Sequence, residues 1–473
     1  MKNKPLALLG IISIALVSMR FNISILAWVM YVPLLILVRN INGAKSWFSV
    51  FLLLQAALFL QIVKMITEPL TIAMALLFSA PIAAGAWALF WLFEKARRKL
   101  GDLKGVFIFA SLMSVSEWIS FYTSDFGSWG SATYTQLDDL AFLQMTALLG
   151  ITFSSFFIYL SSAFTAALLT SPDRRRLIKP AIATWLAFVL VYSYGVVRLD
   201  QPAPGQHINV AAIASDIQIT PQGIPNKAYL RKGTEKLIEA TKTAIGRGAR
   251  LIAWNEGATI IFKEDEAGFI QRMRDISRKH DVDLVIAYIV PIDGIISFEN
   301  KYILITKGKI HETYLKYHPV PGEGAIKGEK ISTAANLGYA RIGGAICYDF
   351  DFPGIGRALS RQGVDIAVAP SSDWRGIDPY HAKMAAVRAI EGGYALLRPA
   401  RGATSIATDA FGRIRASMSY FEENDRIMLA SLPAQQTPTL YSKVGDIFPI
   451  VLSLLLMITL YQFWTTKADT AIL

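Results

Sequence analysis

The chain has 473 residues, 53% of them hydrophobic, with a formal net charge of +11, five histidines and a single cysteine. That apolar share is too high for an ordinary soluble protein, and one cysteine excludes an internal disulfide in any compartment. The positive charge does not indicate a nucleic-acid partner. Residues 201–445 hold roughly 30 Lys and Arg against roughly 25 Asp and Glu, and most of the remaining excess lies in short loops between apolar segments.

In chain order, long uncharged stretches predict membrane spans at 5–19, 22–38, 47–63, 69–93, 105–122, 141–169 and 178–197, with an eighth at 447–464. A cleaved leader over 1–19 is the competing reading; no small-residue cleavage pattern follows it, and further spans come directly after. Lys2 and Lys4, Arg39 and Lys45, Lys95 to Lys104, and Arg174 to Lys179 fall at alternate span ends, whereas the 123–140 loop has no Lys or Arg. By the positive-inside rule both termini are expected in the cytoplasm, with the segment between the seventh and eighth spans on the opposite face. Glu117, inside an apolar span, is expected to face the bundle interior or a water-filled cleft. Phe126, Trp129 and Tyr134 read as an interfacial aromatic belt.

The stretch Gln201 to Gly205 reads as a linker. Beyond it, strands are predicted at 208–214, 251–254, 284–290, 302–306, 340–346, 366–369, 395–398 and 405–408, with helices at 229–245, 267–279, 354–362 and 380–391. Strands interleaved with helices predict a layered α/β domain, whose sites gather where loops leave the carboxyl ends of strands. Three polar residues stand at such ends: Glu256, Lys316 and Cys347.

Taken alone, Cys347 is a small buried hydrophobe; at a strand-to-helix junction it is also placed to become a thiolate. With a glutamate as proton acceptor and a lysine ammonium beside a carbonyl oxygen, the set is what acyl transfer through a thioester needs. Spacing in sequence does not show whether the three converge. His318 and His381 read as structural hydrogen-bonding residues rather than a protease partner for the thiol. The five histidines and one cysteine have no metal-ligand spacing, so neither a metal nor another cofactor is expected. Gly343-Gly344 is not a dinucleotide fingerprint; glycine there allows close backbone packing beside the cysteine.

These segments resemble the nitrilase (carbon–nitrogen hydrolase) superfamily, and within it the apolipoprotein N-acyltransferases. The resemblance is carried by Trp254-Asn255-Glu256-Gly257, by Tyr314-Leu315-Lys316 through Pro321, by Cys347-Tyr348-Asp349, and by Ser371-Ser372-Asp373-Trp374, His381, Val387 to Glu391 and Arg398 to Ser405. Glu117-Trp118 and the 126–136 loop extend it into the apolar half.

The resemblance implies an α-helical transmembrane bundle of seven plus one spans with an inserted αββα sandwich: residues 1–200, 201–441 and 442–473. It implies an enzyme of the bacterial inner membrane with its catalytic domain on the outer face. A phospholipid would acylate Cys347, and the α-amino group of a diacylated lipoprotein would then take the acyl chain. Glu256 would be the base, Lys316 the oxyanion partner and Cys347 the nucleophile, with Glu323, Asp349, Tyr348, Trp254, Asp373 and Glu391 accessory. An amidase using water, an acyltransferase with another amine acceptor, and a non-catalytic scaffold are the alternatives. This chain departs from the family in having Asn255 where Pro is usual, Glu323 one residue early, and Asp349 where Glu is common.

Overall fold

The computed structural model describes residues 4–217, 223–293 and 296–466, so Lys2 and the tail beyond 466 lie outside the described residues. The chain forms two compact units, one from Met1–Thr123, Ser128–Arg198 and Val444–Leu473, the other from Ser124–Gly127 and Leu199–Lys443.

Among the described residues, six helices are long and apolar enough to cross a membrane: Ala44–Val63, Ile72–Leu100, Asp102–Thr123, Ile151–Thr170, Arg175–Asp200 and Ile447–Thr465. The first two expected spans are shorter. Lys4–Ala15 has 12 residues, which at ~1.5 Å per residue falls short of a ~30 Å hydrocarbon core. A turn with positive φ at Ser18 and Met19 follows, then the short helical segments Ser24–Val29 and Val32–Val38.

The turn's carbonyls cannot be left bare in an apolar medium. Lys64 Nζ donates to the carbonyls of Val17, Ser18 and Phe21 at 2.9, 2.7 and 2.8 Å, and Gln61 Nε2 donates to those of Ile14 and Val17 at 3.1 and 3.0 Å. The expected span at 141–169 is also divided. Helices Leu140–Leu143 and Thr146–Leu149 end at Gly150, whose φ of 80° stops the second, and Ile151–Thr170 is the spanning piece.

Glu117 faces the interior of the first unit, accepting from the Ala132 N–H at 2.9 Å, the Ser131 hydroxyl at 3.1 Å and the Tyr159 hydroxyl. Such a carboxylate is tolerable only when its oxygens are met by donors. Tyr134 departs from the expected belt. It is 1% exposed and hydrogen-bonded through its hydroxyl to Ser128 at 2.7 Å, whereas Phe126 is exposed.

The second unit is built on two six-stranded sheets. The first runs, in spatial order, Ile427–Pro433, His207–Ile213, Leu251–Trp254, Asp283–Asp293, Ser297–Thr306 and Lys309–Leu315. The second runs Ile414–Ser419, Thr404–Thr408, Ala395–Arg398, Ile366–Val368, Arg341–Gly344 and Ala335–Asn336. Alternation along each strand sorts side chains into layers. On the Leu251–Trp254 strand, Leu251 and Ala253 join a core with Ile342, Ile366 and Leu396 of the second sheet, which continues to Leu359 and Ala385 of helices Pro353–Arg361 and Tyr380–Gly392. Ile252 and Trp254 face outward onto helices Lys227–Gly246 and Lys263–His280 with Leu237 and Met273. The layers are therefore helix, sheet, sheet, helix, as the resemblance implied.

The strand that leads to Cys347, Arg341–Gly344, pairs in parallel with Ile366–Val368 of the same sheet, and their backbones approach closely. A Cβ at Gly344 would lie 2.2 Å from the Val368 carbonyl oxygen, a backbone atom that cannot swing away. Gly344→Ala should therefore cost about 1–3 kcal/mol and raise the rate of thermal inactivation in detergent. Gly246→Ala, where a Cβ meets nothing within 4 Å, should leave that rate unchanged or lower. Equal behaviour of the two variants would show that the strand pair relaxes freely around an added methyl.

Candidate active site

Each of the three expected residues leaves the carboxyl end of a strand. Glu256 follows Leu251–Trp254, and Asn255 explains how its turn is held without the usual proline: its Oδ1 accepts from the Ser215 N–H at 2.7 Å and its Nδ2 donates to the Glu256 carbonyl at 2.7 Å. Lys316 follows Lys309–Leu315 and is 2% exposed. Its Nζ donates to Glu256 Oε1 at 2.7 Å and to Glu323 Oε2 at 2.8 Å.

The one-residue displacement of Glu323 is absorbed by a turn in which the Glu323 N–H meets the Val320 carbonyl at 2.8 Å and Gly322 adopts φ 87°. Glu323 Oε2 also accepts from the Val320 N–H at 2.8 Å. Asn300, which sequence reasoning missed, lies under both carboxylates, donating to Glu256 Oε1 at 2.8 Å and Glu323 Oε1 at 2.9 Å. Asn300 is 2% exposed but stands between Glu299 and Lys301, just before the predicted strand 302–306, so nothing in the sequence marked it as buried.

Burial alone would lower the Lys316 ammonium, but Glu256 and Glu323 together hold it well above the ordinary lysine value. Burial would raise Glu323; Lys316 outweighs it and holds the carboxyl low. The group is thus an ammonium clasped by two carboxylates.

Cys347 opens the 3₁₀ turn Cys347–Asp351, six residues before helix Pro353–Arg361, with φ 48° at a residue that has a Cβ. Such a conformation is strained and held by its surroundings. Asp349 holds this one: its Oδ2 accepts from the Ile346 N–H at 2.9 Å and the Tyr314 hydroxyl at 2.8 Å, and its Oδ1 accepts from the His318 N–H at 2.6 Å. Burial pushes the Asp349 carboxyl up to about 7. The Asp349 N–H bonds the Ile346 carbonyl at 3.0 Å, closing the turn. Tyr348 donates through its hydroxyl to the Asp125 carbonyl at 2.6 Å, a bond that ties down the same turn.

The expectation of a thiolate at a helix N-terminus is corrected here. The helix starts too late to act on the sulfur, and burial, with Glu256 and Asp373, pushes the thiol well above its ordinary value against the opposing pull of Lys316 and Arg398. The resting sulfur is a neutral thiol. It lies 3.6 Å from Asp373 Oδ1 and 3.9 Å from the Ser372 carbonyl oxygen.

Asp373 belongs to a second buried charge group. Its Oδ2 accepts from Arg398 at 2.8 Å, its Oδ1 lies 2.8 Å from His381 Nδ1, and His381 Nε2 lies 3.0 Å from Asp351 Oδ1. Burial would lower His381, yet Asp351 and Asp373 raise it to about 9, so the ring is an imidazolium donating to both. Despite burial, Arg398 and His381 hold Asp373 well below the usual carboxylate range.

Sγ, an Asp373 oxygen and a His381 nitrogen lie within 4.8 Å of one another, a grouping that spacing in sequence did not reveal. The donor set is poor for a cation: both ring nitrogens are taken by carboxylates, and the Arg398 guanidinium lies 3.1 Å from Nδ1.

Two expected accessory residues stand elsewhere. Trp254 is fully buried on the outer face of its sheet, donating through Nε1 to Thr241 Oγ1 at 2.9 Å; it is core, not site. Glu391 pairs with Arg388 one turn away at 2.9 Å within helix Tyr380–Gly392.

If the Glu256 charge bears on the thiol, Glu256→Gln removes one of the groups that raise it. Iodoacetamide alkylation of Cys347 should then shift its pH midpoint downward by about one unit. An unmoved or higher midpoint would separate Glu256 electrostatically from the sulfur.

The sequence is similar to known families over both units. Residues 10–164 match the family described as Apolipoprotein N-acyltransferase N-terminal domain, and residues 212–439 match Carbon-nitrogen hydrolase. An apolipoprotein N-acyltransferase of Geobacter metallireducens is 24% identical over 352 residues, 68% of this chain and 67% of that protein. One of Gloeobacter violaceus is 25% identical over 432 residues, 82% of this chain and 80% of that protein. Among solved structures, an amidase from Nesterenkonia sp. aligns over 51% of this chain and 94% of its own at 18% identity, with a TM-score of 0.41. One of these matches falls on the apolar helices and the other on the layered α/β unit, so both units of the chain are similar to those of apolipoprotein N-acyltransferases.

Proposed function

We propose that this protein is a membrane-embedded N-acyltransferase that moves an acyl chain from a phospholipid, through a thioester on Cys347, to the α-amino group of a diacylated lipoprotein. The observation that carries the reading is the Glu256–Lys316–Glu323 clasp, with a neutral thiol under the influence of both Glu256 and Lys316. Glu256 takes the thiol proton as sulfur attacks the ester carbonyl, and the Lys316 ammonium stabilises the oxyanion. Collapse expels the lysophospholipid oxygen, which leaves with that proton. The amine then attacks the thioester, the C–S bond breaks, and a proton returns through Glu256 to sulfur. Glu323 and Asn300 keep Glu256 and Lys316 aligned. In this reading residues 201–441 are the catalytic domain, 1–200 the bundle and 442–473 the final span with its tail.

A phospholipid acyl chain leaves the bilayer at a cost of ~0.8 kcal/mol per CH₂, so anchoring the thiol to the membrane favours this donor. Purified protein given phosphatidylethanolamine alone should gain a hydroxylamine-sensitive acyl mass on Cys347, and Cys347→Ala should not. Adding a diacylated lipopeptide should yield the triacylated product, with Glu256→Gln and Lys316→Met slower by about 10²–10⁴-fold. Release of free fatty acid with no triacylated peptide would favour a hydrolase instead.

The placement of both termini on the cytoplasmic face and of the catalytic domain on the other, expected from the seven-plus-one arrangement, needs only an odd number of crossings before residue 201. Five long helices precede residue 201. The short pair Lys4–Ala15 and Ser24–Val38 contributes an even number of crossings, whether it spans twice or turns back within the bilayer. In a Cys347→Ala background, Asp138→Cys should react with a membrane-impermeant maleimide in spheroplasts, and Arg174→Cys only after permeabilisation. The reverse pattern would invert the topology.

A further inference from the structure

The thiol hydrogen of Cys347 has two acceptors on one side of the sulfur, Asp373 Oδ1 at 3.6 Å and the Ser372 carbonyl oxygen at 3.9 Å. When an acyl group replaces that hydrogen, the thioester sulfur has nothing to donate. Each acceptor loses its bond to the sulfur in one event, with Asp373 Oδ1 keeping His381 Nδ1 at 2.8 Å. Neither can turn away. Arg398 and His381 fix the Asp373 carboxylate at 2.8 Å each, and His381 is fixed in turn by Asp351. Ser372 is held by pairing of Ser371–Ser372 with Ala400–Arg401, by the Arg401 guanidinium on its hydroxyl at 2.9 Å, and by the Asp373 N–H on the Arg401 carbonyl at 2.9 Å.

We propose that Asp373 Oδ1 and the Ser372 carbonyl form the subsite that receives the acceptor amine, and that acylation of Cys347 opens it. This rests on the thioester reading above and specifies how that thioester selects its acceptor. An α-amine presents two or three N–H donors on one atom and satisfies both acceptors while its nitrogen faces the thioester. A lysophospholipid hydroxyl has one donor, so the reverse transfer is disfavoured once the first product has formed. Water has two but brings no acyl-glycerol chains to hold it there.

The surrounding charges also suit an amine that must react. Asp351 and Asp373 are balanced by the His381 imidazolium and the Arg398 guanidinium, so the subsite offers oriented acceptors without a net negative charge that would lock the amine as ammonium. One proton leaves the ammonium to solvent, and the nitrogen pair attacks the carbonyl carbon. The C–S bond breaks, and a second N–H proton passes through Glu256 to sulfur, giving an amide, a thiol and one released proton.

The first test uses wild-type protein. Alkylating Cys347 with a long-chain iodoacetamide gives a stable sulfur without its hydrogen. A diacylated lipopeptide should bind this enzyme at least tenfold more tightly than its desamino analogue, whereas the unmodified enzyme should bind the two within about twofold. Equal binding by the alkylated enzyme overturns the proposal. The second test uses acyl-enzyme formed by Asp373→Asn from phosphatidylethanolamine. Discharge by lipopeptide should fall at least tenfold more, relative to wild type, than discharge by hydroxylamine. Equal losses for the two nucleophiles also overturn it. If that variant fails to fold or to charge, the wild-type alkylation result decides. Absence of any acyl adduct on wild-type Cys347 strikes the thioester reading itself, a separate outcome read before either nucleophile is added.

Discussion

One buried ammonium organises the catalytic unit. Lys316 is 2% exposed and holds Glu256 and Glu323 at 2.7 and 2.8 Å. Two carboxylates and one ammonium out of water are tolerable only if further donors meet the remaining oxygens. Asn300 and the Val320 N–H provide them. Glu256 comes from the end of Leu251–Trp254, Asn300 from Ser297–Thr306 two strands away, and Glu323 from the turn beyond Lys316, so the clasp ties all three together. Removing one member leaves a buried charge without its counterpart, which is why the clasp constrains fold and chemistry together.

The sulfur stands between this clasp and a second one, in which Asp351, His381, Asp373 and Arg398 alternate in sign. Opposed influences on a single thiol give it two states. At rest, burial and the carboxylates keep the proton on sulfur, which protects an only cysteine from oxidation. The thiolate appears when an ester carbonyl enters beside Lys316 and Glu256 accepts the proton. In this reading nucleophilicity is supplied by substrate binding rather than stored in the resting enzyme, as suits a thiol that must wait for a lipid.

The layered α/β fold was legible because buried parallel strands are continuous apolar runs. Leu251–Trp254 and Ala395–Arg398 read to the residue for that reason. Lys309–Leu315 and Ile427–Pro433 were missed. They pair antiparallel at the two edges of the first sheet; exposed Lys309 and His311 break the apolar run of one, and Ser431 interrupts the other. In the apolar half, hydropathy registered composition but not continuity, so Gly150 divided the stretch 141–169 that it had joined, and the turn at Ser18 ended the first expected span early.

Side-chain direction was the harder part of the site. Trp254 and Glu256 are two residues apart and would share a face if the strand continued, but it ends at Trp254 and the chain turns, with Gly257 at φ 53°. One side chain therefore enters the outer core and the other the site.

The same logic explains why the departures at Asn255, Glu323 and Asp349 leave the arrangement intact. Each substitutes one means of fixing backbone for another. Asn255 replaces the rigidity of a proline with two hydrogen bonds, to Ser215 and to the Glu256 carbonyl. Glu323 reaches Lys316 because a glycine turn takes up the lost residue. Asp349 is directed at backbone N–H groups on either side of it, so a shorter side chain is suited to gripping its own turn. What the chemistry requires is a set of atoms in fixed positions, and a residue pattern is only one way of specifying them. A chain at 23–28% identity to its relatives can therefore keep the positions while rewriting much of what holds them.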